Sequence, residues 1–203
     1  YIYRVREIMI MMRRGADILL EALMEQGVDT IFGYPGGAVL DIFDALYERR
    51  DAIRLVVTAH EQGAAHAADG YARSTGKTGV VLATSGPGAT NLVTGIAGAY
   101  LDSIPVVAIT GNVSRDISGR DGFQEVNITR VTDPILNANF VVRDAPALAA
   151  PVKAAFAIAN PGPKRPALID IPNDLPQTSA VSRHPRRFTA RGAPRVSGVA
   201  AER

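Results

Sequence analysis

The sequence predicts a doubly wound α/β fold, with a mostly parallel six-stranded sheet and helices on both of its faces. Short runs of β-branched and apolar residues alternate with helical segments of about 10 to 15 residues. The strand runs are apolar on both sides, which is typical of parallel strands covered by helices on both faces. A chain of 203 residues with 47% hydrophobic content can bury one full core, so we expect one domain.

The elements follow each other in a regular order. The first helix begins at Gly15, places Ile18, Leu19 and Leu23 on one side, and ends at Gly27. Further helices are predicted at residues 38–50, 61–75, 89–101 and 145–160. Strands are predicted at residues 29–33, 53–59, 79–84, 105–110, 140–142 and 167–171.

The net charge of +2 is unevenly distributed along the chain. Residues 1–14 hold four Arg and one Glu, and residues 181–203 hold six Arg and one Glu, so residues 15–180 carry a net charge of −6. We expect an N-terminal extension over 1–14, a folded domain over 15–180 and a disordered basic tail over 181–203. An acidic folded part argues against a nucleic-acid groove.

Several classes of site and location are excluded by composition. The chain has no cysteine, so it has no disulfide, thiolate metal site or cysteine nucleophile. No apolar run approaches the roughly 18 residues that span a bilayer, and no signal-peptide pattern opens the chain, which predicts no membrane partner and a cytoplasmic location. His60 and His66 lie too far apart for a zinc-protease motif. We expect no metal ligands, with His60 a polar strand-end residue and His66 packed within its helix.

Polar and glycine-rich segments follow four of the predicted strands. They are 34–37 (YPGG), 60–62 (HEQ), 85–88 (SGPG) and 111–112 (GN). In an open α/β sheet, ligands bind outside the carboxyl ends of the strands. The sequence therefore predicts a site at this edge of the sheet.

Glu61 is the carboxylate at that edge, and its position allows two interpretations. A carboxylate in the first turn of a helix complements the helix dipole, and this role needs no ligand. A partly buried carboxylate could also hydrogen-bond a ring nitrogen or move a proton. The nearby 85–91 segment (SGPGATN) lacks the third glycine of a dinucleotide fingerprint and the Lys of a Walker A loop. We interpret it as a tight turn that shapes a pocket wall.

Three segments carry a resemblance to a known family. FGYPGGAVLDIFDAL, HEQGAAHAADGYARSTGKTGVVLATSGPGATNLVTGIAGAYLDSIPVVAITG and DGFQE resemble the pyrimidine-binding domain of thiamine-diphosphate enzymes. Within that group, residues 15–180 are similar to the large subunit of acetolactate synthase (acetohydroxyacid synthase). The resemblance implies decarboxylation of pyruvate and carboligation to a 2-acetohydroxy acid. Alternatives are a related 2-keto acid decarboxylase, oxidase or acetyltransferase, and a non-catalytic assembly module.

The resemblance also implies roles for individual residues. Glu61 corresponds to the glutamate that hydrogen-bonds N1′ of the cofactor's aminopyrimidine and favours its imino tautomer, which lets the cofactor form its reactive carbanion. Gln124 corresponds to a candidate donor to a developing oxyanion. The implied cofactor-binding residues are Tyr34, Pro35, Gly36, Gly37 and Glu61. The implied substrate-pocket residues are Gly37, Ala38, Ser114, Gly122, Phe123 and Gln124.

The chain departs from the family pattern in two ways. Asn112, Ser114 and Gly122 stand where these enzymes usually have Gln, Pro and Ala, which puts pocket shape in doubt. The GDG…N motif that holds Mg²⁺ and the diphosphate is missing, as is the domain that carries FAD in many members. We therefore expect a homodimer or higher homo-oligomer, a diphosphate-binding domain from another subunit or chain, and a regulatory subunit as a further partner. Alone, the chain should be inactive.

Overall fold

The computed structural model describes residues 9–160 and 164–184. Its strands are β1 (Met9–Arg14), β2 (Thr30–Gly33), β3 (Arg54–Val57), β4 (Gly79–Ala83), β5 (Val106–Asn112), β6 (Ala138–Val141), β7 (Ala167–Pro172) and β8 (Ser179–His184). Its α-helices are α1 (Gly15–Glu25), α2 (Leu40–Glu48), α3 (Glu61–Thr75), α4 (Pro87–Thr90), α5 (Val93–Leu101), α6 (Ile128–Thr132), α7 (Ala149–Ala159) and α8 (Asp174–Gln177). Short 3₁₀ turns cover Gly37–Val39, Asp133–Ile135 and Pro146–Leu148.

The main sheet has six strands in the order β3-β2-β4-β5-β7-β6, and every neighbouring pair is parallel. The predicted α/β class and the six predicted strands are confirmed. All strand ends of one kind therefore lie at one edge of the sheet.

Helices cover both faces of this sheet. Val80 and Leu82 of β4 pack into the cluster formed with α1, α2 and α7, whereas Val81 and Ala83 pack into the cluster formed with α3 and α5. Because successive strand residues point to opposite faces, this division produces the unbroken apolar runs seen in the sequence.

Close packing fixes the position of α3. A Cβ atom at Gly79 would lie 2.1 Å from the Ala68 carbonyl oxygen, and one at Gly95 would lie 2.5 Å from the Ala65 Cβ. Neither position has room for a larger side chain, since a backbone or a packed neighbour would have to move. The small residues of α3 therefore let the helix lie directly against β4 and α5.

Two predicted elements differ from the structure. The 53–59 strand is the shorter β3, which lies at an edge of the sheet and leaves Val57 exposed, so its interpretation as a buried strand was wrong. The single helix predicted over 89–101 is divided into α4 and α5. Asn91 and Leu92 lie at the break, where Leu92 is buried and Asn91 turns toward the site described below.

The described chain ends pair with each other. Strand β1 runs antiparallel to β8, from the Met9 and His184 pair to the Arg14 and Ser179 pair. These strands extend the folded part beyond the predicted limits of residues 15 and 180. Predictions for residues 1–8 and 185–203 lie outside the described residues. Within the described ranges, no helix is long and apolar enough to cross a bilayer.

Candidate functional site

The carboxyl edge of the sheet brings four strand ends together, as predicted. A Cβ at Gly36 would lie 2.5 Å from the Thr84 Cβ, and the Ala38 backbone N–H donates to Thr84 Oγ1 at 3.1 Å. A Cβ at Gly111 would lie 2.8 Å from the Ala38 Cβ. The turns after β2, β4 and β5 are therefore in direct contact.

Glu61 is the first residue of α3 and is only 8% exposed. His60 is the N-cap, and its Nδ1 accepts a hydrogen bond from the Gln62 backbone N–H at 3.1 Å. Thr58 Oγ1 donates to the His60 carbonyl oxygen at 2.7 Å, which fixes the turn from β3 into the helix. The cap satisfies one free helix N–H, so the Glu61 carboxylate is not needed for that purpose.

The Glu61 carboxylate lies against neutral groups. Asn91 Nδ2 donates to Oε2 at 3.0 Å. A Cβ at Gly88 would lie 3.2 Å from Oε1 and 2.6 Å from Thr84 Cγ2, so glycine at this position lets the turn pack closely against Thr84 and the carboxylate. Across the described residues, no ion pair to Glu61 is formed. A nearly buried carboxylate without a cationic partner is well suited to accept a hydrogen bond from a ligand.

The two histidines have simpler positions. His60 is exposed at the strand end, as predicted, and acts as a helix cap. His66 is exposed on α3, so the prediction that it packs within the helix was wrong. Its position faces away from the buried Ala64, Ala65 and Ala68. Among the described residues, no group of three or more His, Cys, Asp or Glu side chains could hold a metal ion.

The YPGG turn leaves open space at the same edge. Tyr34 and Pro35 are exposed, and a Cβ at Gly37 would have no neighbour within 4 Å. Gly36 has an extended φ of −174°, so its need for glycine comes from its contact with Thr84 and not from backbone strain. Ala38 is buried behind Gly37, so the turn forms a small-residue wall.

The DGFQE segment reaches this edge through Gln124. Gln124 has a φ of +59°, and its carbonyl oxygen lies 2.7 Å from the place of a Cβ on Gly86, which also has a positive φ. Phe123 is 90% exposed. A Cβ at Gly122 would lie 2.5 Å from Ile117 Cγ2. The segment therefore borders the site, but its aromatic ring points outward from the described chain.

A buried carboxylate that the sequence prediction missed lies on β7, beside the carboxyl end of β5. Asp170 of β7 is 2% exposed, and it accepts hydrogen bonds from Thr110 Oγ1 at 2.7 Å and Asn112 Nδ2 at 2.6 Å. Burial raises the pKa of Asp170 to about 6, and the two hydrogen bonds oppose that rise. Asn112 also accepts from the Val113 N–H at 2.8 Å. The sequence feature that could have revealed this buried carboxylate is the single Asp inside the apolar run ALIDIP.

A cavity of about 350 Å³ lies at the opposite, amino edge of the sheet. Its polar groups satisfy each other, since Asp29 accepts from Lys77 Nζ at 2.5 Å and from Tyr71 Oη at 2.7 Å. These hydrogen bonds lower the pKa of Asp29 to about 2. We favour the carboxyl edge as the functional site because its Glu61 has no such charged partner.

Comparison with known families shows which family the chain belongs to. Residues 13–131 match the family described as thiamine pyrophosphate enzyme, N-terminal TPP binding domain. The match covers more than half of the chain, and the chain belongs to this family of thiamine pyrophosphate enzyme domains.

Within this family, the chain is similar to several acetolactate synthases. The chain is 52% identical to acetolactate synthase from Arthrospira platensis over 192 residues, which are 89% of this chain and 33% of the relative. It is 52% identical to the chloroplastic acetolactate synthase of Arabidopsis thaliana over 169 residues, 83% of this chain and 25% of the relative. It is 54% identical to the acetolactate synthase large subunit of Parasynechococcus marenigrum over 165 residues, 80% of this chain and 27% of the relative. The chain thus spans a quarter to a third of these relatives.

Proposed function

We propose that this chain provides the pyrimidine-binding wall of an acetolactate synthase-like enzyme, in which Glu61 holds N1′ of thiamine diphosphate. The observation that carries the proposal is the Glu61 carboxylate, nearly buried at a strand end, partnered by the neutral Asn91 and facing Gly88. The residues present fit a flat nitrogen heterocycle, because they combine a hydrogen-bond acceptor with open space over Gly37.

Glu61 would act on a proton at one ring nitrogen. When bound, thiamine diphosphate supplies the carbanion chemistry that breaks and forms carbon–carbon bonds. Glu61 would accept the N1′ hydrogen bond, and Asn91 would hold the carboxylate in the orientation that this bond needs. Tyr34, Pro35 and Gly36 would limit the ring's position from the adjoining turn.

The substrate would approach across the small-residue wall of Gly37 and Ala38. Ser114, Gly122, Phe123 and Gln124 would line the other side, and the Gln124 amide would donate to oxygen as negative charge develops on it. The proposed substrates are pyruvate and a second 2-keto acid, since the relatives are named acetolactate synthases. The support for this assignment is the contact of Gln124 with the Gly86 turn.

The remaining wall would come from another subunit. The 90% exposed Phe123 ring lies beside the open edge, where a second polypeptide would cover it. We therefore propose a homo-oligomer with a diphosphate-binding domain that supplies Mg²⁺ binding, and in some assemblies FAD and a regulatory subunit. Calorimetry of the 203-residue chain with thiamine diphosphate and Mg²⁺ should show weak or no binding. Micromolar affinity would contradict the proposal that this chain supplies only part of the cofactor site.

The test of Glu61 uses an enzyme assembled from this chain and a diphosphate-domain partner. Glu61→Gln should slow exchange of the cofactor's C2 proton by about 10²- to 10⁴-fold, with little change in thermal stability, because it alters one acceptor. The matched control is Asp41→Asn, which removes an exposed first-turn carboxylate from α2. Unchanged C2 exchange in the Glu61 variant would overturn the proposal.

A further inference from the structure

The loop between β5 and α6 is organised around one side chain that the proposed function does not use. Glu125 Oε1 accepts a hydrogen bond from the Gly119 backbone N–H at 2.5 Å, and Oε2 accepts one from the Gly122 N–H at 2.9 Å. The Glu125 N–H donates in turn to the Gly122 carbonyl oxygen at 2.9 Å. The carboxylate therefore closes residues 119–125 into a compact ring.

The backbone of this ring is strained, so it needs such a constraint. Asp121 has a φ of +54° and Gln124 a φ of +59°, in the left-handed region that residues with a side chain rarely adopt. Gly119 also has a positive φ of +83°. Conformations of this kind persist only where surrounding contacts hold them. The two carboxylate bonds are the contacts that span the strained residues.

The strained conformation determines where Gln124 lies. Its carbonyl oxygen and Cβ lie 2.7 Å and 2.8 Å from the place of a Cβ on Gly86. Gly86 opens the turn that carries Gly88, which borders the Glu61 carboxylate. If the loop relaxed at Gln124, it would lose its contact with the Gly86 turn, which shapes the site.

The hydrogen bonds to Glu125 favour its ionised form. The backbone N–H groups of Gly119 and Gly122, followed by those of Arg120 and Asp121, lower its pKa. In the described part of the chain, Glu125 forms no ion pair. Its partners are therefore backbone amides, which a carboxylate satisfies and a neutral amide satisfies only in part.

We propose that Glu125 is a positioning residue, whose carboxylate fixes the 119–125 ring so that Gln124 rests on Gly86 and Phe123 is presented outward. This inference rests on the proposed function of Gln124 and Phe123 as substrate-pocket residues. It predicts that removing the charged acceptor loosens the ring and impairs substrate handling, while Glu61 and its contact with Asn91 are unaffected.

The first test measures the ring directly by NMR in the 203-residue chain. The Gly119 and Gly122 amide shifts should follow one titration with a midpoint below that of an ordinary glutamate. Glu125→Gln should abolish that titration and speed amide exchange at both glycines by about tenfold or more. Asp121→Asn is the matched control. It removes one negative charge from the same ring but keeps the Glu125 carboxylate as the acceptor. Asparagine also tolerates the positive φ at this position. This control variant should leave both readouts unchanged.

Glu125→Asp serves as a second variant that keeps the charge but shortens the reach by one methylene. It should protect one of the two glycine amides and release the other. The positioning role would be overturned if the Gly119 and Gly122 amides exchanged at the same rates in both Glu125 variants as in the parent chain.

The second test separates this role from the proposed function. In the assembled enzyme, Glu125→Gln should raise KM for the 2-keto acid or lower the rate of carboligation by about tenfold, with C2-proton exchange unchanged. If Glu125→Gln loosens the ring but the kinetics are unchanged, the substrate-pocket assignment of Gln124 is overturned. The structural role of Glu125 in fixing residues 119–125 would still stand. Loss of C2 exchange as well would contradict the separation of Glu125 from Glu61.

Discussion

Asn91, in the break between α4 and α5, donates its side-chain amide at 3.0 Å to the carboxylate of Glu61, the first residue of α3. The pair joins two helices that begin at different strand ends. It places a neutral donor on a carboxylate that is otherwise next to glycine. The interruption of the helix at Asn91 therefore has a direct structural use at the candidate site.

Asn91→Ala should slow C2-proton exchange in the assembled enzyme by about tenfold, because the carboxylate loses the donor that orients it. The free energy of unfolding should fall by about 1 kcal/mol. The measurement is C2 exchange followed by NMR, beside a chemical denaturation curve. Thr94→Ala, at an exposed position in the first turn of α5, is the control and should change neither quantity. Exchange at the parent rate in the Asn91 variant would contradict the orienting role.

Gly88→Ala should impair both folding and catalysis, and a second substitution should separate the two. The new Cβ would lie 2.6 Å from Thr84 Cγ2, which should cost about 1 to 3 kcal/mol of folding free energy. Thr84→Ser removes that methyl group and keeps the hydroxyl that accepts from Ala38. The double variant should therefore recover stability in a thermal melt. It should still show slow C2 exchange, since the Cβ remains 3.2 Å from Glu61 Oε1.

Gly122→Ala restores the residue usual in the family, and Ile117 should determine its cost. The added Cβ would lie 2.5 Å from Ile117 Cγ2, a methyl group of an exposed side chain that has room to move, so we expect a loss of about 1 kcal/mol or less. The same change in an Ile117→Ala background should cost nothing measurable. Equal costs in both backgrounds, measured by urea denaturation, would show that the two positions do not interact.

Asp170 should make the folded state more stable as the pH falls toward 4. Its pKa rises from 3.8 when unfolded to about 6 when folded, so between these values the folded state binds the proton more tightly. The free energy of unfolding should decrease by about 3 kcal/mol in total as pH rises, with about 2 kcal/mol of the decrease between pH 4 and 6, and level off above about pH 7. Asp170→Asn should remove this contribution. The check is the difference between urea curves of the two chains from pH 4.5 to 7, and a difference that does not vary with pH would contradict it.

The sequence was informative where local chemistry determines structure. Apolar runs located all six strands of the main sheet, and the glycine-rich turns located their shared edge. Glu61 stood out because a carboxylate in that setting needs a partner. These features depend on neighbouring residues, so periodicity and residue type were enough to predict them.

Other features depend on contacts between distant residues. The partner of Glu61 is Asn91, thirty positions away, and nothing in its own segment distinguishes it from a helical residue. Strand β3 has the composition of a buried strand but lies at the sheet edge, because strand order is set by the whole topology. Arg13 and Arg14 were predicted to belong to a basic N-terminal extension, yet they contact Glu21 and Asp17 of α1.

Glu125 shows a third kind of limit. Its identity is visible in DGFQE, but its hydrogen bonds to Gly119 and Gly122 depend on positive φ values that the sequence does not reveal at Asp121 or Gln124. Such conformations oppose local preference and are held by the folded surroundings.

The pairing of β1 with β8 also affects how this fold can be combined with others. Because Met9 lies opposite His184, the polypeptide enters and leaves the described part side by side. A module with adjacent entry and exit points can be spliced into a longer protein without a connector that crosses its surface.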